Sequence, residues 1–312
     1  MPAAPLLHPG DSLWIASPVV WREACLSLPA MRALKRMGLV LRVVCPQRQT
    51  SFWEASGFPD LQSYAEKASA RQIAASLDTG STSLAWEAGE AADAFARIGI
   101  PRRLGPPAKG LEKRLTEPLV ITYTPGPIEH RVKFYLGIAA KLGAETMIGE
   151  NFAPVAIDVP RAPDRVLLVP DSDFGSHYQW LPERWEALAK TLLEKGSLLR
   201  IATTGRLGAA LAKAIPEADT VNLEFPAMEE LAAHGLCIAA DGTVPHLASH
   251  VGTRCVVLFG PGEPEWMRPL GKHHLIARRK VECSPCHAAK CLMDLRCQND
   301  LEVAEVLRVL DA

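Results

Sequence analysis

Two carboxylates and one cluster of thiols carry most of the chemistry this sequence offers. Asp241-Gly242-Thr243 follows a short apolar run, Leu236 to Ala240, and opens a helical segment, Val244 to Val251, that Gly252 ends. A second apolar run, Cys255 to Phe259, leads into Gly260-Pro261-Gly262-Glu263-Pro264. At a turn from strand to helix, free backbone N–H groups and the helix dipole favour a phosphate. Gly242 lets the backbone approach a ligand closely, and Thr243 can cap the helix or donate to a phosphate oxygen. His246 lies about one turn into the helix and can face the same mouth. An ordinary Asp/Thr cap with a surface histidine fits the same spacing.

Glu23 is the second carboxylate. It follows the apolar stretch SLWIASPVV, residues 12 to 20, near the head of a helical segment, Trp21 to Met37. A carboxylate there can take a proton from a hydroxyl, or simply complement the helix dipole. The thiols are Cys283, Cys286, Cys291 and Cys297, in the pattern C-x2-C-x4-C-x5-C. Four soft ligands at this spacing suit a structural zinc or an iron–sulfur site. Free thiols and disulfides remain open, disulfides being disfavoured in a reducing compartment.

The elements that must position these groups are strands and helices in alternation. Leu39 to Cys45 is a strand, Gly38 having ended the helix before it. Thr82 to Trp86 reads as a strand and Glu87 to Ile98 as a helix; Ile128 to Leu142 reads as another helix. Residues 149 to 164, rich in proline and acidic side chains, read as a linker. Beyond it come a strand at Arg165 to Pro170, a helix opening at Leu181-Pro182, and a strand at Leu198 to Thr203. A turn at Thr204-Gly205-Arg206, a helix to Ile215, a strand at Thr220 to Leu223, a short helix from Met228 to Ala233 and a closing helix from Leu301 to Leu310 complete the pattern. Apolar runs rich in Val, Ile and Leu alternating with helices predict parallel sheets. Two Rossmann-like domains are expected, at residues 1–155 and 156–312. In such domains ligands bind beyond the carboxyl ends of the strands.

Composition narrows the class. The chain has 312 residues, 48% hydrophobic and 22% charged, with a formal net charge of −1, so no global field attracts nucleic acid. No apolar run approaches the roughly 18 residues of a membrane span, and the N-terminal MPAAPLLHPGD lacks the features of a signal peptide. A cytoplasmic protein with reduced thiols is expected.

Asp241-Gly242-Thr243-Val244-Pro245-His246-Leu247-Ala248, with Phe259-Gly260-Pro261 and Pro264, resembles the nucleotide-sugar motif of glycosyltransferase family 9, usually D-T/S-G-x-x-H. That family contains the bacterial ADP-heptose:lipopolysaccharide heptosyltransferases. The order of Gly242 and Thr243 is swapped here. Pro29-x-x-Arg32-Ala33-Leu34 resembles the family's P-x-L-R-A-L, which puts the family's catalytic Asp on Glu23 and its Gly on Arg22. Ile98 to Gly105 resembles its G-x-P-x-R-I-G turn, and His130 to Tyr135 its H-x-x-x-x-Y segment.

The resemblance implies a GT-B architecture, two Rossmann-like domains facing across a cleft, and metal-independent inverting glycosyl transfer. The first domain would hold a lipopolysaccharide core-type glycolipid acceptor, the second an ADP-heptose-type donor. Glu23 would be the base, and Asp241, Gly242, Thr243, His246, Thr204 and Glu230 donor contacts. A family Lys that neutralises donor phosphates falls on Tyr178, with Arg184 and His177 the nearest replacements. Arg102, Arg103, His130 and Lys133 are candidate acceptor contacts, though the two arginines begin a basic stretch that also fits a solvated loop. Any metal at the cysteines would be structural, and transient contact with the inner face of the inner membrane is expected. A family member that binds nucleotide sugar without turnover is the alternative. An epimerase-type Rossmann enzyme is weaker, because no G-x-G-x-x-G follows the first strand.

Overall fold

The computed structural model describes residues 6–123, 128–223, 228–288 and 290–311. The chain divides into two compact units, Met1–Pro125 with Arg131–Ala153, and Gly126–His130 with Pro154–Ala312.

In the first unit, β1 (Ser12–Ala16), α1 (Trp21–Arg36), β2 (Val40–Pro46), α2 (Thr50–Ala55), β3 (Leu61–Tyr64), α3 (Ala70–Ala75), β4 (Thr82–Ala85), α4 (Glu90–Arg97), β5 (Arg102–Gly105), β6 (Glu117–Pro118) and α5 (Val132–Leu142) follow in order. The strands form one parallel sheet, ordered β3-β2-β1-β4-β5-β6. Leu13 and Ile15 of the central β1 are fully buried, as a strand covered by helices on both faces requires.

The first strand is shorter than the apolar stretch of residues 12 to 20, which reads as a strand throughout. It stops at Ala16 because the Ser17 hydroxyl turns to bond Gln49 Oε1 at 2.6 Å, and Pro18 follows. Similarly α4 starts at Glu90, after Gly89, rather than at Glu87. Helix α5 starts at Val132 rather than Ile128, so His130 precedes it. The basic stretch is not all loop: Arg102 and Arg103 lie in β5. Gly143, at φ 108°, ends α5 in the left-handed conformation that a side chain would strain.

In the second unit, β7 (Ala162–Val169), α6 (Pro182–Glu194), β8 (Leu198–Ala202), α7 (Arg206–Ala214), β9 (Asp219–Val221), α8 (Met228–Ala232), β10 (His234–Ala240), α9 (Val244–His250), β11 (Arg254–Phe259), α10 (Pro264–Met267), β12 (Leu275–Arg278), α11 (Arg296–Asn299) and α12 (Val303–Leu310) follow. This sheet is also parallel, ordered β12-β11-β10-β7-β8-β9. Its core packs Trp180, Trp185 and Leu188 against Leu168, Ile201, Ile238 and Val256. The closing helix starts at Val303 rather than Leu301, because Glu302 caps it and Glu305 bonds back to the Glu302 amide.

Candidate active site

In the first unit the candidate base is built from two helices. Glu23 sits in the first turn of α1, just beyond the carboxyl end of β1. Its Oε2 accepts from Arg131 Nε at 2.9 Å and from the Tyr135 hydroxyl at 2.5 Å. Among the described residues nothing donates to Oε1, and the Glu23 side chain is 12% exposed. Tyr135 is buried and packs edge-on against Trp86 and Phe134, while the Arg131 guanidinium lies over the Phe134 ring. Burial, with the Glu23 charge adding to it, holds the Tyr135 phenol protonated well above its ordinary range. Tyr135 is therefore a hydrogen-bond donor throughout the working pH range. Glu87 follows β4 nearby; burial raises its carboxyl pKa, the Val19 amide bond to Oε1 opposes that, and the Glu23 charge adds to it.

In the second unit the Asp241–Thr243 turn joins β10 to α9. Asp241 is 2% exposed and Thr243 7%. The backbone approach is close here: a Cβ on Gly242 would stand 2.8 Å from Asp173 Oδ1, and one on Gly262 would overlap the Asp241 carboxylate. The turn expected to receive a phosphate holds an internal anion instead. Asp173 accepts from the Thr243 amide at 2.8 Å and from its hydroxyl at 2.7 Å. Ser172 Oγ donates to the Asp241 carbonyl at 2.6 Å. His246 is buried, 2% exposed, rather than a surface residue.

Several expected contacts are committed elsewhere. The Thr204–Arg206 turn is filled by Asp171, whose carboxylate accepts from the Leu207 and Gly208 amides at 3.1 and 2.7 Å. Thr204 Oγ1 accepts from the Leu223 amide. Glu230 pairs with Arg200 at 2.7 Å. Arg184 donates to the Leu301 carbonyl and pairs with Glu302, which ties α6 to the start of α12 and leaves it poorly placed to replace the missing Lys. Tyr178 is half-buried, its ring against Phe174 and His177.

The candidate acceptor residues differ in their surroundings. Arg102 makes two bonds to the Glu117 carboxylate, at 2.8 and 2.9 Å, because β6 pairs beside it. Arg103 donates to the carbonyls of Arg114 and Ile100. Both guanidinium groups are spent inside the sheet edge. His130, in the second unit, faces the Arg268 carbonyl with Nε2 at 2.9 Å; burial lowers its pKa, so the neutral ring donates there. Lys133 is exposed on α5.

The four cysteines converge. Cys283, Cys286, Cys291 and Cys297 line one cavity of about 20 Å³ with His177, Pro261 and Arg296. None is in a disulfide. Burial raises the Cys297 thiol to about 11, and the three other cysteines add to it. Among the described residues, no three His, Cys, Asp or Glu side chains are already set to hold a metal ion. In donor chemistry the four thiols suit a thiophilic ion.

Sequence reasoning missed Arg131, Tyr135, Asp171, Asp173 and Glu87. Only the H-x-x-x-x-Y segment pointed toward Arg131 and Tyr135. Among the described residues no helix is long and apolar enough to cross a membrane.

Residues 147–296 match the sequence model of glycosyltransferase family 9 (heptosyltransferase). No curated protein matches the sequence. A glycosyl transferase family 9 structure from Veillonella parvula DSM 2008 superposes with a TM-score of 0.78 at 12% identity, covering 99% of this chain and 98% of that one. The ADP-heptose LPS heptosyltransferase II of E. coli gives 0.73 at 16% identity, with 96% and 97% covered. The iron-containing dodecameric glycosyltransferase TibC of enterotoxigenic E. coli H10407 gives 0.58 at 13% identity, with 98% and 77% covered. At these identities the likeness is one of fold: two α/β units of the GT-B class.

Proposed function

We propose, from the match of residues 147–296 to the family 9 model, that the chain is a glycosyltransferase of that family and moves a heptose from an ADP-heptose-type donor onto a lipopolysaccharide core-type acceptor, with inversion. The observation that carries the mechanism is the Glu23 carboxylate, oriented through Oε2 by Arg131 and Tyr135 with Oε1 unclaimed by the described residues. Oε1 takes the proton of the acceptor hydroxyl as its oxygen bonds the anomeric carbon. The bond from that carbon to the diphosphate breaks on the opposite face, and the nucleoside diphosphate leaves. The Asp241–His246 turn, with the Gly260–Pro261 turn beside it, receives the diphosphate once Asp173 has moved off Thr243.

No metal takes part in this chemistry. An ion at Cys283, Cys286, Cys291 and Cys297, a zinc or an iron, would be structural. A lipid-anchored acceptor brings this cytoplasmic enzyme transiently to the inner face of the inner membrane. Lys133, exposed on α5, is a proposed acceptor contact. Tyr178 in place of a cation, and Asp173 in the anion position, favour the second reading, a member that binds nucleotide sugar without turnover.

The test is incubation with ADP-heptose and a deacylated Kdo-type core oligosaccharide, read by mass spectrometry. One added heptose with release of ADP is expected. Donor binding without product would establish the second reading. Neither binding nor product with any nucleotide sugar would overturn both.

A further inference from the structure

The four-cysteine segment grips the loops around the proposed donor turn. The Ser284 hydroxyl donates to the Gly260 carbonyl at 2.7 Å. The amides of Cys286 and His287 both donate to the Pro261 carbonyl, at 3.1 Å each. On the other side, His177 Nε2 stands 2.7 Å from the Ala288 carbonyl. A carbonyl can only accept, so the ring donates and the loop carrying Ser172, Asp173 and His177 is fastened to the segment. The Gly260 turn is also closed from below: a Cβ there would stand 2.7 Å from the side-chain carbon Cδ of Gln298, which follows Cys297 in α11.

Those two loops meet at the donor turn. Asp173 and Ser172 hold Thr243 and Asp241 by the bonds described above. Gly262 abuts the Asp241 carboxylate. Any shift of the cysteine segment is thus carried by hydrogen bonds to both walls of this turn.

Within the segment Arg296 pairs with Asp294 and Glu282, while much of the cysteine-bearing stretch stands in solvent. Cys283 and Cys286 are exposed, Cys291 is half-buried, and Leu292 and Met293 are 88% and 64% exposed. Its thiols face a shared cavity instead of an apolar core. One sulfur already accepts from the backbone: the Met293 amide points at Cys291 Sγ from 3.4 Å, a contact that suits a thiolate.

We propose that Cys283, Cys286, Cys291 and Cys297 close on one thiophilic divalent ion, and that this ion acts as a clasp which orders the Gly260–Gly262 turn and the 172–178 loop around the donor site. Each thiol releases its proton to solvent as it ligates. The clasp rests on the proposed function only for what the ordered loops hold; the ordering itself is independent of it.

The experiment separates the two. Full-length protein is reduced, stripped with chelator, and titrated with zinc(II) alone. About one zinc per chain should bind. Amide exchange in peptides spanning 259–264, 172–179 and 284–288 should slow by roughly tenfold or more. Exchange in β1 and β2 of the first unit should not change. Cys291→Ser should lose both zinc and protection. Ser284→Ala keeps all four thiols, so it should still bind zinc while protecting 259–264 less. Failure to take up zinc or iron(II) overturns the proposal. Uptake without slowed exchange in those peptides also overturns it, leaving an isolated metal knot. ADP binding is measured separately by calorimetry. Slowed exchange with no ADP binding would uphold the clasp and count against the donor assignment.

Discussion

Asp173 sits on Thr243 with both carboxylate oxygens, one on the amide and one on the hydroxyl. A diphosphate at this turn, as proposed above, would meet the Asp173 charge on the Thr243 amide and hydroxyl. Asp173→Asn removes that charge and keeps the shape. ADP affinity should rise by about three- to tenfold, which is what relief of one partly screened like-charge contact gives. Isothermal calorimetry decides it; weaker binding would mean that Asp173 serves the ligand instead of competing with it.

Glu23 and its two donors supply a graded test. Glu23→Gln keeps the size and removes the base, so turnover should fall by roughly two orders of magnitude or more with ADP binding intact. Tyr135→Phe removes one hydrogen bond to Oε2, and kcat should fall by about tenfold. Near-normal kcat for Glu23→Gln would leave the carboxylate as a helix-end charge only.

Arg184 separates a donor contact from a structural tie. Its bonds to the Leu301 carbonyl and to Glu302 join α6 to α12. Arg184→Ala should cost about 1 kcal/mol of stability in urea unfolding, through the lost tie between α6 and α12, while the Trp180 indole still donates to the Leu301 carbonyl. ADP affinity should stay within about twofold. A large loss of affinity in folded protein would return Arg184 to the donor site.

Much of the site was legible where chemistry coincides with a change of period. Glu23 and Asp241 each stand where an apolar run gives way to a helix, and the structure puts both beyond the carboxyl ends of central strands. The cysteine spacing suggested a shared ion; the structure shows the four residues lining one cavity. Asp173 was not legible, because a lone acidic residue in a polar loop says nothing of an amide 70 positions later. Arg102 read as a free cation for the same reason: its partner Glu117 comes alongside only when β6 pairs with β5. Element ends moved where a side chain or glycine outbid the pattern, as at Ser17 and Gly89.

A pH effect follows from His274. This buried side chain accepts the Cys255 amide through Nδ1 at 3.2 Å. Burial, with the neighbouring His273 adding to it, lowers its pKa from 6.5 to about 4. The folded state therefore holds the neutral ring, while the unfolded chain takes up a proton near 6.5. Stability contributed by this group is complete above about 6.5 and is lost as pH falls toward 4, where both states are protonated. The loss amounts to about 3 kcal/mol at most. His274→Asn, whose Oδ1 can take the same amide bond, should flatten the dependence of urea midpoint on pH across that window. An unchanged slope would place the acid sensitivity elsewhere.

The two sheets differ in when they can be made. In the first, β1 finds β2 and then β4 within the opening stretch of the chain, pairing Ser12 with Val40 and Trp14 with Ser83. In the second, β7 must wait for β10: Val166 pairs with Leu236, and β8 and β9 emerge in between. A ribosome delivering this chain therefore presents a finished first sheet while β7 still shows an open apolar edge. That edge, Val166 to Val169, is the place where a nascent or truncated chain is most exposed to a chaperone or to a second copy of itself.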